Sequence, residues 1–284
     1  MKIDFHVHVT PPDIIANWEK YAEKEPYFSL LSRGKVNKFA SAEDVVSMLE
    51  KEGFDRAVVF GFGFGDSGLC RYVNDYVIES VKKHPALTGF AVVSPRSPSG
   101  AAAEIERCHD AGLKGVGELF PLSAAEFPSA GIDLEDKKQT QAVICVCKER
   151  GIPLLLHANE PVGHSYPGKS DVSFKRIEAF VSDNPGVKIV LAHWGGGIFL
   201  YETMKEIKEA FRDVYYDTSA SPFLYDERIY SAAKALGLCG KILFGSDFPV
   251  LSPSRYLAAV EKSGFSEEEK ELLFGGNAGR LLDK

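Results

Sequence analysis

Eight strand-like segments, each followed by an amphipathic helical stretch, predict an α/β fold of the (β/α)₈ TIM-barrel type. Three observations carry this. The segments alternate without interruption, which argues for a parallel sheet, and eight is the number that closes into a barrel. The chain has 284 residues, 45% of them hydrophobic, enough for a single barrel domain over 1–284. No Gly-rich dinucleotide fingerprint follows the first strand, which sets an open doubly wound sheet second.

The strands are expected at KIDFHVHV (2–9), RAVVFGF (56–62), LTGFAVV (87–93), LKGVGELF (113–120), IPLLLH (152–157), VKIVLAH (187–193), DVYYDTS (213–219) and KILFGSD (241–247). Each is apolar or alternating and bounded by turn residues. The helix SAEDVVSMLEKEG (41–53) starts at a serine cap and stops at glycine. QTQAVICVCKERG and DVSFKRIEAFVSDNPG follow the same grammar. Two connections are long: a loop over 10–40, containing Trp18, Tyr21, Tyr27 and Phe28, and one over 120–135. Both follow strand C-terminal ends, the face on which barrel sites are built. Two short helices over 266–283 end the domain.

Net charge is −7. A mild acidic excess argues against a chain that coats nucleic acid, and no apolar run approaches the roughly 20 residues of a membrane span. The N-terminus alternates and carries charge, unlike an export signal, so a cytoplasmic protein is expected. The five cysteines lack zinc-ribbon spacing and read as reduced thiols. Nothing in the composition decides between monomer and homo-oligomer.

Four of the seven histidines (His6, His8, His157 and His193) fall at the C-terminal ends of expected strands, and Asp247 ends the eighth. His6 and His8 are two apart, so they share a face, with Asp4 on the same phase and Ile3, Phe5, Val7 and Val9 opposite. Closing the barrel brings these imidazoles and the carboxylate to one mouth. That donor set suits a divalent, zinc-like ion with a position left for water. Asp4 is expected inside the barrel, hydrogen-bonded rather than ligating. His84 and His109 read as helical surface residues.

The segments DFHVH (4–8), LLLHA (154–158), LAHWGGG (191–197), VYYDTS (214–219), LFGSDFP (243–249) and GGNAGRLL (275–282) together resemble the amidohydrolase superfamily, in its amidohydrolase-related branch, which includes aminocarboxymuconate-semialdehyde decarboxylase. They span the chain in that family's order. The resemblance implies a distorted (β/α)₈ barrel holding a divalent metal, usually zinc. It implies His6, His8, His157 and Asp247 as ligands, and His193 as ligand to a second metal or holder of the metal's water. Binuclear members often carry a carboxylated lysine after strand four. Here Lys114 falls too deep, and Glu118, on the phase of Val116 and Lys114, is the candidate to bridge two ions or to meet substrate. One metal is the favoured count.

HANEPVGHSYPGKS (157–170) contains G-x-x-x-x-G-K-S, from Gly163 to Ser170. A phosphate loop needs a direct strand–loop–helix junction and free backbone N–H groups. Here the strand ends six residues earlier, and Pro167 lacks an N–H. The stretch reads better as a substrate loop over the metal, with Glu160, His164, Tyr166 and Lys169 as contacts. Phe62, Phe64, Phe120 and Arg96 are further lining candidates, Arg96 as a carboxylate clamp.

These readings converge on a metal-dependent hydrolase of a small amide, ester or lactone, with Asp247 moving protons and His193 orienting water or stabilising charge. The alternative is a metal-dependent, non-oxidative decarboxylase of a small unsaturated or aromatic acid. A barrel that only binds a small molecule comes third.

Overall fold

The structure is a computed structural model that describes residues 1–34, 39–122 and 131–283. Strands β1 (Ile3–His8), β2 (Arg56–Phe60), β3 (Leu87–Ala91), β4 (Gly115–Leu119), β5 (Leu154–Leu156), β6 (Ile189–Leu191), β7 (Val214–Asp217) and β8 (Ile242–Leu243) form one parallel sheet in chain order. Backbone bonds from Phe5 N to Phe244 O (2.7 Å) and from His8 N to Phe248 O (2.8 Å) join the last strand region to the first. The result is a nearly closed (β/α)₈ barrel. No helix among the described residues is long and apolar enough to cross a membrane.

Helix boundaries follow local chemistry. Helix Ala42–Glu52 opens on a capping box between Ser41 and Asp44 and ends at Gly53 in the left-handed conformation. Helices Lys137–Arg150 and Phe174–Asp183 start at Asp136 and Ser173, whose side chains accept backbone N–H bonds. An outer layer packs Val7, Val59, Leu154, Leu191 and Phe244 against the helices. An inner cluster fills the barrel with Phe5, Val58, Phe60, Phe90, Leu155, Val190 and Leu243.

Two strands depart from simple alternation. In β1, Asp4 pairs with Ala57 but Val7 pairs with Val59, so one extra residue lies between them. Phe5 thereby joins the inner cluster instead of facing the helices, as does Ile3. Asp4 shares its side of the sheet with Ala57, a residue of the outer layer. The expected interior place for Asp4 is therefore corrected by a β-bulge. It remains fully buried and accepts bonds from Ser246 N (2.8 Å) and the Ser246 hydroxyl. Burial lifts its pKa to about 7 against these hydrogen bonds. A second bulge lies in β4, where Val116 pairs with Leu154 and Leu119 with Leu156. It breaks the phase expected to link Glu118 to Val116, which packs outward.

The segment 10–40 is not a plain loop. It holds helices Pro12–Ala16, Trp18–Ala22 and Pro26–Ser32, which set Ile14, Ala22 and Phe28 on the inner cluster. Of the long connection 120–135, residues 123–130 lie outside the described set. At the opposite end of the barrel, helix Asn277–Leu282 adds Ala278 and Leu281 to the inner cluster beside Ile3.

Candidate metal centre

Strand ends carry His6, His8, Glu118, His193 and Asp247 into one cluster, with His157 beside it against Glu118. His6 Nε2 lies 3.3 Å from His8 Nε2. Asp247 Oδ1 lies 3.2 Å from His8 Nε2 and 3.5 Å from His6 Nε2. Four ligands held tetrahedrally at zinc distances stand about 3.3 Å apart, so these three donors match one face of such a shell. Glu118 straddles the cluster: Oε2 is 3.6 and 3.7 Å from His6 and His8 Nε2, while Oε1 is 2.9 Å from His157 Nδ1 and 3.6 Å from His193 Nε2. Two donor sets fit a cation, His6–His8–Asp247 and His6–Glu118–His193, each with its atoms within 4.8 Å.

His157 supplies an independent test of fit. Its Nδ1 meets Glu118, and its Nε2 is buried without a hydrogen-bond partner among the described residues. An ionised carboxylate only accepts, so Nδ1 carries a hydrogen, and Nε2 is the ring atom left to offer a lone pair to a cation. Leaving such an atom unpaired costs about 1–3 kcal/mol, and a cation is the partner its chemistry asks for. The two donor sets therefore fit a divalent ion, and His157, expected as a ligand, stands outside both and meets the cluster through Glu118.

Local backbone geometry builds this mouth. Gly117 holds φ +124°, and a Cβ there would stand 2.2 Å from the Leu155 carbonyl oxygen. After β6, His193, Trp194 and Gly195–Gly197 run through five consecutive left-handed residues. A Cβ on Gly196 would meet Asn159 O at 2.2 Å. The non-glycine residues with positive φ among those described are His193, Trp194, Ala220 and Asp247, all at or beside this end of the barrel. Such conformers cost roughly 1–3 kcal/mol each and gather at functional sites.

The groups bias one another's protons. Burial opposes the charged form of His6, but Asp217 and Glu118 outweigh it and hold the ring well above its usual value. Burial likewise lowers His193, while Glu118 and Asp247 lift it to about 9. Burial pushes Glu118 up, and His6 and His157 draw it well below the carboxylate range. Asp247 is lowered in the same way, against burial, by His8 and His6. In the metal-free protein His6 and His193 thus hold protons more tightly than a free imidazole, and a cation bound by either ring would have to displace one.

The other candidates divide. A cavity of about 620 Å³ is lined by Tyr27, Phe28, Phe62, Phe120 and Phe223, by His164 and Tyr166 at the loop, and by donors of the cluster. Phe64 stands behind this wall, its ring 5.1 Å from Phe28 and 5.2 Å from Phe62. Glu160 is outside the lining and accepts from the Tyr166 hydroxyl at 3.0 Å. Lys169 is also outside: its ammonium donates to the carbonyls of Val162 and His164, tying the loop to itself. The next helix begins only at Phe174, so the G-x-x-x-x-G-K-S match has no phosphate-loop geometry. Arg96 is exposed and outside the cavity, because the chain turns into helix Pro98–Asp110 just after it. His84 caps helix Ser67–Lys83 and His109 lies within Pro98–Asp110; both are half-buried, and neither joins the cluster. Lys114 is exposed just before β4.

Sequence reasoning passed over Asp217 and Ser219, although VYYDTS contains both. Asp217 is fully buried, with Oδ2 2.8 Å from His6 Nδ1. The available signal was an acid at the C-terminal end of an otherwise apolar strand.

Known proteins place this architecture. The chain is similar in structure to 5-carboxyvanillate decarboxylase LigW from Sphingomonas paucimobilis, with a TM-score of 0.75, 16% identity, and 99% of this chain and 98% of that chain covered. It is also similar to a dihydroxybenzoic acid decarboxylase from Polaromonas sp. JS666 with bound manganese and the inhibitor 2-nitroresorcinol, with a TM-score of 0.72, 18% identity and coverages of 99% and 96%. A putative amidohydrolase from Staphylococcus aureus matches with a TM-score of 0.71, 20% identity and coverages of 100% and 99%. At these identities the likeness is one of fold. No curated protein matches the chain. The amidohydrolase family profile matches residues 3–284, nearly the whole chain, and with the barrel and its imidazole–carboxylate mouth this establishes that the protein belongs to the amidohydrolase-related branch of the amidohydrolase superfamily.

Proposed function

We propose that this protein is a metal-dependent, non-oxidative decarboxylase of a small aromatic or unsaturated carboxylic acid. One observation carries the reading: an aromatic-walled cavity of about 620 Å³ opens directly onto the imidazole–carboxylate cluster. Among the described lining residues there is no lysine or arginine. The acid group of a substrate is therefore met at the cluster, and its unsaturated body lies among Tyr27, Phe28, Phe62 and Phe120. The decarboxylases that share this fold support the reading over hydrolysis.

His6, His8, His157 and Asp247 would hold the cation, with Glu118 and His193 beside them. When bound, a divalent ion there supplies positive charge for a carboxylate and lowers the pKa of water. The imidazole-rich donor set suits zinc; manganese in a structural neighbour makes it the competing choice. The aromatic walls orient a planar substrate and exclude water. His193, lifted to about 9 by the acids around it, stores a proton at neutral pH. Asp247, ionised at rest and on the same cavity wall, would take that proton from His193 and pass it to the substrate carbon that bears the carboxylate. The bond to the carboxyl carbon then breaks, its electron pair stays on the substrate, and carbon dioxide leaves.

Hydrolysis of an amide, ester or lactone is the second reading, in keeping with the family's name, amidohydrolase. Metal analysis followed by a substrate screen separates the two. Decarboxylation releases carbon dioxide from aromatic acids and, in heavy water, places deuterium at the vacated carbon. Release of acid from lactones or amides, with no carbon dioxide from any acid tested, overturns the proposal. Asp247→Asn should retain metal and lose turnover by roughly 10²-fold or more; a barrel that only binds would be indifferent to it.

A further inference from the structure

Asp217 ends β7 with a fully buried carboxylate whose two oxygens face different partners. Oδ2 lies 2.8 Å from His6 Nδ1. Oδ1 accepts the backbone N–H of His193 (3.0 Å), the backbone N–H of Ser219 (3.0 Å) and the Ser219 hydroxyl. Ser219 in turn meets the second ring: His193 Nδ1 is 3.0 Å from the Ser219 carbonyl oxygen and 2.8 Å from its Oγ.

Donor and acceptor chemistry fixes the hydrogens in this network. A carbonyl oxygen only accepts, so His193 Nδ1 carries a hydrogen. The Ser219 hydrogen points at Asp217, which leaves Oγ to accept from the same Nδ1–H. An ionised Asp217 also only accepts, so His6 Nδ1 donates to Oδ2. Both rings consequently turn Nε2 toward the cluster, His6 toward His8, Asp247 and Glu118, and His193 toward Glu118.

We infer that Asp217 is a positioning residue for two imidazoles at once: it sets the tautomer of His6 for the cation, and through Ser219 it braces the orientation of His193, whose tautomer the Ser219 carbonyl fixes, for the reacting groups. The inference rests on the metal-centre reading above. It makes asparagine at 217 a sharp probe despite its equal size. The Oδ1 position receives three donors, so the amide oxygen must occupy it and the amide NH₂ must face His6 Nδ1. Two N–H groups cannot bond, so His6 gives up its Nδ1 hydrogen and is left with the one on Nε2, the atom turned toward the cluster.

The experiment labels histidine with ¹⁵N and compares wild type, Asp217→Asn, Ser219→Ala and Ser219→Thr. NMR reads the ring N–H signals in the metal-free and zinc-loaded proteins, and chelator competition reads zinc affinity. In wild type, His6 and His193 each show an exchange-protected Nδ1–H. Asp217→Asn loses the His6 signal, and zinc affinity falls on the order of 10–100-fold. Ser219→Ala keeps zinc affinity within about threefold and keeps the His193 Nδ1–H on the backbone carbonyl, but without the Oγ brace that hydrogen exchanges faster and the pH profile of activity shifts; Ser219→Thr, which retains the hydroxyl, restores both. Absence of the His6 Nδ1–H in wild type overturns the inference, as does an Asp217→Asn protein that keeps both the signal and wild-type affinity. If wild type takes up no divalent metal, the metal-centre reading fails, and the ring signals still decide the role of Asp217.

Discussion

An alanine at position 117 has nowhere to put its methyl group, because Leu155 O stands 2.2 Å from where the Cβ would be and φ is +124°. Strain and overpacking together put the loss for Gly117→Ala at about 3 kcal/mol or more, seen as a lower urea midpoint at unchanged slope. The same change should weaken metal uptake, since Glu118 is the next residue. Proton linkage gives a second expectation. His193 rises from 6.5 to about 9 on folding without metal, against burial and through Glu118 and Asp247. A raised histidine stabilises fully below its unfolded value, so metal-free stability should decline between pH 6.5 and about 9, on the order of 3 kcal/mol from this group. Metal affinity should move oppositely and tighten over the same window, as protons cease to compete. Urea melts and chelator competition across that range check both signs. At this scale the sequence was legible where chemistry repeats at strand ends, as with His6, His8, His157, His193 and Asp247. It was not legible for Asp217, whose meaning comes from a ring 211 positions away, nor for Arg96 and Lys169, whose directions depend on how their loops turn.

Strands and helix caps were readable because each is written locally: an apolar run for β5, a serine and a glycine around helix Ala42–Glu52. The bulges in β1 and β4 were not, since a bulge exists only relative to a partner strand. Each adds one residue just where a side chain must be aimed at the cluster, His6 in one case and Glu118 in the other. The segment 10–40 misled for a different reason. Its helices of five to seven residues are too short for a periodic signal and owe their stability to packing on the mouth. The loop after β5 is held by its own contacts, Asn159 to Ser170 (2.9 Å to the backbone N–H) and Lys169 to two carbonyls. Lys169→Met should loosen the part that presents His164 and Tyr166 to the cavity. Steady-state kinetics should then show KM rising on the order of three- to tenfold with kcat within about twofold, the pattern of lost ground-state binding. A large fall in kcat would instead give the lysine a part in the chemistry.

Across the whole molecule, the barrel hides most of its sulfur. Cys145 is exposed, whereas Cys70, Cys108 and Cys147 are buried. Burial pushes the Cys108 and Cys147 thiols to about 12 and raises Cys70 as well, while burial and Glu269 bring half-buried Cys239 to about 11. A thiol reagent at pH 8 should find one fast group in the native protein and all five after denaturation. Metal should also act on the whole fold. A cation at a hundred times its Kd adds about 2.7 kcal/mol, so a chelator should lower Tm by several degrees.

Helix Asn277–Leu282 gives the barrel a floor of Ala278 and Leu281 against Ile3. Among the described residues the well beneath the loop is therefore closed below, and His164, Tyr166 and Phe223 stand at its upper side. A compound wedged between those side chains has no way round through the base, where Ile3, Ala278 and Leu281 are buried, so it should hinder whatever comes and goes on that side.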